Sequence, residues 1–118
     1  MSTLARVQDE WDDGVAVARL SGEIDASNVQ DIGHRLRSMV SNRSFALVVD
    51  LSEIAYVDSA GINLLFALGE QLRGHQQQMA IVVREASPIL RVISLTGLDR
   101  AVSIYPTLDA ALGATAGG

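Results

Sequence analysis

Two reactive residue types are missing from the 118-residue sequence, which contains no cysteine and no lysine. Without cysteine the chain can form no disulfide, no thiolate metal site and no thiol nucleophile. Without lysine it can carry neither a P-loop lysine nor Schiff-base or lysine-base chemistry. All nine basic residues are arginines. These absences exclude several large classes of enzyme before any motif is considered.

Charge and long apolar runs are also scarce. Charged residues make up 19% of the sequence against 48% apolar residues, which is typical of a compact globular domain. The net charge of −5 argues against nucleic acid as a partner. No run approaches the roughly 20 apolar residues of a membrane span, and no signal peptide is evident. We therefore expect one cytoplasmic domain, residues 1–118, with a core over about 4–112 and a flexible tail at 113–118.

Short apolar runs alternate with amphipathic segments along most of the chain. An Asp-Gly pair in the turn 11–14 predicts an antiparallel hairpin of strands 4–10 and 15–20. Each later strand follows a helical pattern, an order that favours right-handed crossovers and a mostly parallel sheet. The predicted helices cover 27–40, 59–73, 87–96 and 106–112, and the later strands cover 45–49, 79–83 and 101–105. The fold class is thus α/β, with a mixed, mostly parallel sheet of about five strands and four helices.

Helix boundaries are predicted from capping signals. Ser27 and Gln30 have the spacing of a capping box at the start of the first helix. Ser87 followed by Pro88 predicts the start of the third helix. Gly74 is predicted to end the second helix as the residue after its last turn.

The chain is organised around residues 45–68, where an apolar strand closed by Asp50 leads to a turn and then to the second helix. Asp58 and Ser59 stand where that helix begins, and both residue types are good N-caps. A helix N-terminus offers free N–H groups and the positive end of the dipole, which suit an anion. Ser59 is therefore either an ordinary helix cap or the acceptor of a modification such as phosphate.

Other chemistry has little support in the sequence. His34 and His75 are the only imidazoles, and neither has a partner at metal-ligand spacing, so we interpret both as solvated. Ser59 lacks the G-x-S-x-G elbow of hydrolases, and the only later histidine falls at the far end of the helix that Ser59 begins. No glycine-rich phosphate loop is present, so we expect no cofactor. Two acidic pairs are interpreted as solvated turns: Asp12 with Asp13, and Asp50 with Glu53.

The second helix has apolar residues outside its main stripe. Leu65, Leu68 and Leu72 share one face, whereas Ile62 and Phe66 fall well off it. Two interpretations are open. Ile62 and Phe66 pack under a neighbouring helix, or they form an apolar ridge beside Ser59 that docks on a partner.

The segment Val57-Asp58-Ser59-Ala60-Gly61-Ile62 resembles the phosphorylation-loop motif of STAS domains, specifically of the anti-sigma factor antagonists. Three other segments are similar to the family in the same order: 22–25 to the end of its second strand, 49–52 to its central strand, and 95–100 to its C-terminal part. The resemblance covers nearly the whole chain. Many members carry a second hydroxyl residue after the acceptor, whereas this chain has Ala60, so Ser59 is the single acceptor in the motif.

The resemblance implies a STAS-like fold and a partner switch. The unmodified protein would bind an anti-sigma factor that is also a serine kinase, so that a sigma factor is released. The kinase would phosphorylate Ser59 with ATP, the complex would separate, and a serine phosphatase would reset the protein. No enzymatic activity is expected of this chain. The predicted partner-binding residues are Asp25, Ser27, Asn28, Asp58, Ser59, Ala60, Gly61, Ile62, Asn63 and Phe66.

Two alternatives to this function stay open at the level of the sequence. One is a STAS accessory or scaffold subunit of a stress-signalling or lipid-transport complex. The other is a small hydrolase that uses Ser59 as its nucleophile.

Overall fold

A computed structural model describes residues 5–40 and 44–115, and all structural statements concern those residues. The strands are β1 (Arg6–Asp12), β2 (Val15–Ile24), β3 (Ala46–Val57), β4 (Gln78–Val82) and β5 (Ser103–Tyr105). The helices are α1 (Val29–Met39), α2 (Ser59–Gly74), α3 (Pro88–Thr96), α4 (Leu98–Ala101) and α5 (Leu108–Thr115).

The strands form one sheet in the order β1-β2-β3-β4-β5. The β1–β2 pair is antiparallel and the other three pairs are parallel. Asp13 and Gly14 form the hairpin turn with positive φ angles of 50° and 89°, as an Asp-Gly pair predicts. The predicted fold class and hairpin are therefore confirmed, although the start of the predicted first strand, residue 4, lies outside the described residues.

The two faces of the sheet are covered unequally. The larger core lies between one face and helices α1 to α4, and it includes Leu36, Leu65 and Ile93, each at most 1% exposed. The other face carries a smaller core around Val17, Val48 and Ala111, and α5 packs on it. The parallel strands end at the same edge of the sheet, where the loops that follow them are not covered by the helices on either face.

The central strand is longer than the sequence predicts. The sequence predicts a strand over 45–49 that is closed by Asp50, but the strand continues to Val57, and Phe45 lies outside it and is 48% exposed. The carboxylate of Asp50 accepts hydrogen bonds from the N–H and the hydroxyl of Ser52. The β2–β3 ladder shifts register nearby. Asp50 thus satisfies polar groups at a bulge within the strand, and its interpretation as a solvated turn residue is wrong.

Several helix ends also differ from their predictions. Helix α2 includes Gly74 and is capped by His75, and Gln76 takes the left-handed conformation expected of a glycine. Helix α5 extends to Thr115, whose buried hydroxyl donates to the carbonyl of Ala111, so residues 113–115 are not a tail. Residues 116–118 lie outside the described part of the chain.

The third helix begins and ends as predicted. Ser87 caps it by accepting from the N–H of Ile89, and Gly97 ends it with φ of 80°. The chain then forms the short helix α4, which the sequence did not predict because four residues are too few for a periodic pattern. Leu98, fully buried, anchors that turn in the core.

Two glycines give opposite expectations for stability. Gly14→Ala is expected to lower the free energy of unfolding by about 1–2 kcal/mol, because its φ of 89° strains any L side chain and the added Cβ would lie 2.6 Å from the Phe45 ring. Gly113→Ala is the matched control. It lies inside α5 with open space around the added Cβ, so we expect a gain of about 0.5–1 kcal/mol. Urea denaturation of both variants measures the difference, and a neutral Gly14→Ala would contradict it.

Candidate functional site

Ser59 is the first residue of α2, directly after the carboxyl end of the central strand, and its side chain is exposed. The chain reaches this point because β3 ends at Val57 and Asp58 takes an extended conformation as the N-cap. Of the two candidate caps in the sequence, the structure selects Asp58. The hydroxyl of Ser59 is left at the surface, in reach of another macromolecule.

The carboxylate of Asp58 organises this turn. Its Oδ1 accepts hydrogen bonds from the N–H groups of Ala60 at 2.9 Å and Gly61 at 3.1 Å. We expected open N–H groups at the start of α2 to be available for an anion, and that expectation is wrong for these two groups because Asp58 occupies them. A phosphate on Ser59 would therefore lie beside a carboxylate that already accepts from these two N–H groups.

Asp58 also connects the turn to the β2–α1 loop, residues 25–28. Its Oδ2 accepts from the N–H of Ala26 at 3.2 Å, and its own N–H donates to the carbonyl of Ile24 at 3.1 Å. Sequence reasoning missed Ala26, because its contribution is a backbone N–H and its partner lies 32 positions away in the chain. Because the alanine side chain has no polar group, nothing in the sequence indicates that its backbone makes this contact.

The β2–α1 loop is held by its own side chains. Oδ1 of Asp25 accepts from the N–H of Ser27 at 2.9 Å and from the Ser27 hydroxyl. Asn28, 9% exposed, accepts from the N–H of Asp25 at 3.0 Å and donates to the carbonyl of Glu23 at 2.9 Å. The predicted capping box is wrong, since Asn28 is the N-cap of α1 and the Ser27 hydroxyl bonds Asp25 instead. The loop is thereby fixed next to Ser59.

The predicted partner-binding residues divide into surface and interior groups. Ser27, Ser59 and Asn63 are exposed, and Asp25, Asp58, Ala60 and Phe66 are partly exposed. Asn28, Gly61 and Ile62 are buried. Ile62, 3% exposed, belongs to the larger core, and Phe66 packs against that core. The core interpretation of these two apolar residues is therefore confirmed for Ile62, and an exposed ridge containing Ile62 is wrong.

Gly61 is required by close packing at the start of α2. A Cβ at this position would lie 2.7 Å from Cγ1 of Val57 and 2.9 Å from Cγ2 of Ile24. The first turn of the helix thus sits directly on the ends of β2 and β3. This contact fixes the height of Ser59 above the sheet.

The alternative chemistries gain no support within the described residues. His34 and His75 are exposed, and no group of three metal-ligating side chains occurs in the described ranges. His75 caps the end of α2 opposite to Ser59, about 24 Å away along a helix of this length. A hollow of about 480 Å³ lies at that same far end, beside Phe45, Gln71 and His75. No helix among residues 5–40 and 44–115 is long and apolar enough to cross a membrane.

Comparison with known proteins agrees with this geometry. The family model described as "Mlab, STAS domain" matches residues 7–108. The anti-sigma-F factor antagonist RsfB of Mycobacterium tuberculosis is 34% identical over 105 residues, which cover 89% of this chain and 84% of that protein.

Solved structures show the same architecture. An anti-sigma factor antagonist from Mycobacterium paratuberculosis matches with a TM-score of 0.86 and 37% identity, covering 95% of this chain and 94% of that one. Unphosphorylated SpoIIAA matches with a TM-score of 0.77 and 18% identity, covering 96% and 98% respectively, and so shares the fold. SpoIIAA of Bacillus is also known in a phosphorylated form. The chain therefore belongs to the STAS domain family, and relatives at 34% and 37% identity over most of its length are named as anti-sigma factor antagonists.

Proposed function

We propose that the protein is an anti-sigma factor antagonist that acts by partner switching. In its unmodified form it binds an anti-sigma factor that is also a serine kinase, and a sigma factor is released for transcription. Relatives at 34% and 37% identity over most of the chain, which are named as antagonists, support this assignment. We expect the protein to work in the cytoplasm, without catalytic activity of its own.

The observation that carries the proposal is the exposed Ser59 hydroxyl at the start of α2, within the motif that resembles the phosphorylation loop of the family. The serine oxygen attacks the γ-phosphorus of ATP held by the kinase, and an O–P bond forms. The bond from that phosphorus to the bridging oxygen breaks, ADP leaves with the electron pair, and the hydroxyl proton passes to a base of the kinase. A phosphatase later restores the serine with water. The fold of SpoIIAA accommodates both states.

The docking surface is proposed from what the fold exposes. Asp25, Ser27, Asp58, Ser59 and Asn63 are wholly or partly accessible around one turn. Ala60 and Phe66 lie at its margin, and the buried Asn28, Gly61 and Ile62 support it from beneath. These buried residues would stabilise the domain beneath the surface without contacting the partner.

Phosphate uptake by the purified protein tests the proposal. Incubated with a candidate anti-sigma kinase and ATP, the protein is expected to gain one phosphate, located on Ser59 by tandem mass spectrometry. Ser59→Ala is expected to gain none, because Ala60 leaves no second hydroxyl in the motif. Ser38→Ala is the matched control, since it removes an exposed hydroxyl in the last turn of α1, outside the proposed docking surface, and should leave uptake at Ser59 intact.

Other results of this experiment favour other functions. Phosphate on a residue other than Ser59 would contradict the assigned acceptor. No uptake with any candidate kinase would favour an accessory or scaffold subunit of a stress-signalling or lipid-transport complex. We keep that second candidate because the family model that matches residues 7–108 is described as a STAS domain and not as an anti-sigma factor antagonist. Turnover of an ester substrate would revive the hydrolase alternative.

A further inference from the structure

The Asp58 carboxylate joins two parts of the site that are far apart in sequence. Oδ1 bonds the N–H groups of Ala60 and Gly61 in the first turn of α2, and Oδ2 bonds the N–H of Ala26 in the β2–α1 loop. The N–H of Asp58 also donates to the carbonyl of Ile24, the residue that immediately precedes this loop. One side chain therefore positions both the start of α2 and the neighbouring loop.

The contacts of the two oxygens differ in strength. Oδ1 accepts two hydrogen bonds, at 2.9 Å and 3.1 Å, from groups at the positive end of the helix dipole. Oδ2 has the longer bond of 3.2 Å, to the N–H of the exposed Ala26. A single bond whose donor is exposed is more easily exchanged for a bond to water than two bonds that share one oxygen. If the carboxylate is disturbed, the bond to Ala26 is the first to be lost.

We propose that Asp58 is the positioning residue through which a phosphate on Ser59 changes the β2–α1 loop. This inference rests on the proposed function, because it assumes that Ser59 is modified. A phosphate carries about −1.5 to −2 charges at neutral pH, and it would lie one residue from the Asp58 carboxylate. Repulsion displaces the carboxylate, the bond to Ala26 breaks, and the β2–α1 loop loses this contact with the start of α2. The partner then meets an altered loop as well as a new charge.

Backbone NMR of the free protein tests the link without any kinase. Asp58→Asn and Asp58→Ser both keep a side-chain oxygen that can cap α2, but neither offers Ala26 the same acceptor. In both variants we expect the amide proton of Ala26 to move upfield as its bond to the carboxylate is lost. Phosphoserine installed at position 59 during synthesis is expected to move the same proton in the same direction.

A combined protein, with phosphoserine at 59 and Asp58→Asn, separates the proposed link from a direct effect of the phosphate. No further upfield movement of the Ala26 proton is expected there, because its bond is already lost. The control is the amide proton of Ala110 in α5, on the other face of the sheet. It bonds the Thr107 hydroxyl and should not move.

Three results would overturn the link. The Ala26 proton does not move in the Asp58 variants, it does not move in the phosphoserine protein, or it moves again in the combined protein. Since the phosphoserine is installed chemically, any of these results leaves phosphorylation by a kinase untouched. Failure of the proposed function would instead appear as absent phosphate uptake.

Discussion

Phosphoserine at position 59 is expected to weaken binding of the anti-sigma kinase by at least about 100-fold relative to the serine protein. Ser59 is exposed at the centre of the proposed docking surface, so a phosphate there would be buried on binding. Removing a charged group from water costs several kcal/mol unless the partner supplies matching charge and hydrogen bonds, and each 1.4 kcal/mol is about tenfold in affinity. Asp58 beside it adds negative charge and already holds two of the nearby N–H groups.

Three further proteins show whether the loss comes from the phosphate at this position. Ser59→Ala should bind within about threefold of the serine protein, since an exposed hydroxyl contributes little. The affinity of Ser59→Asp should lie between those of Ser59→Ala and the phosphoserine-59 protein, because aspartate adds one charge and less bulk than a phosphate. Phosphoserine at Ser103, exposed at the opposite end of the sheet, carries the same charge and should leave affinity unchanged.

Isothermal titration calorimetry gives the affinities of all five proteins, including the serine protein. Equal affinity of the phosphoserine-59 protein and the serine protein would contradict the switch, whatever the mass spectrometry shows. An equal loss with phosphoserine at Ser103 would mean that net charge acts at long range, and a test at higher salt would then abolish the difference.

The architecture could be predicted because its signals are local and repeated. Each buried strand contains a short apolar run, and every helix except α4 has a periodic apolar pattern, so the order of these elements follows from the sequence. Pairs such as Asp13-Gly14 and Ser87-Pro88 have few alternative uses, and both form the turn and the cap that they predict. Ser59 could be placed at the start of α2 for the same reason, since a strand and a helical pattern enclose it.

The parts that failed depend on contacts between distant residues. A polar residue after an apolar run is typical of a strand end, so the sequence predicts one at Asp50. Its carboxylate instead bonds Ser52 at a bulge, and that bulge depends on pairing with the neighbouring strand. Ser27 had the spacing of a capping box, but Asp25 offered its hydroxyl a nearer acceptor. The bond between Asp58 and Ala26 spans 32 residues and has no sequence signature. Pattern alone gives the positions of elements, whereas competition for hydrogen bonds decides how the site is assembled.

The sequence pattern also left open whether the apolar side chain of Ile62 is in the core or on the surface. Its substitution is expected to have the second large effect. Ile62→Ala should lower the free energy of unfolding by about 2–5 kcal/mol, because the side chain is 3% exposed and its loss leaves a cavity in the larger core. For a domain of this size that corresponds to a fall in melting temperature of about 10 °C or more. Thermal unfolding followed by circular dichroism measures it.

The adjacent Asn63 is the matched control, one position further along the same helix but exposed. Asn63→Ala should change stability by no more than about 0.5 kcal/mol. Its effect should appear in partner affinity, because it lies on the proposed docking surface. Ile62→Ala should show the reverse, with lower stability and nearly unchanged affinity at a temperature where the variant stays folded. If Ile62→Ala kept its melting temperature and lost affinity, the side chain would have to leave the core on binding, and the division between docking and supporting residues would be wrong.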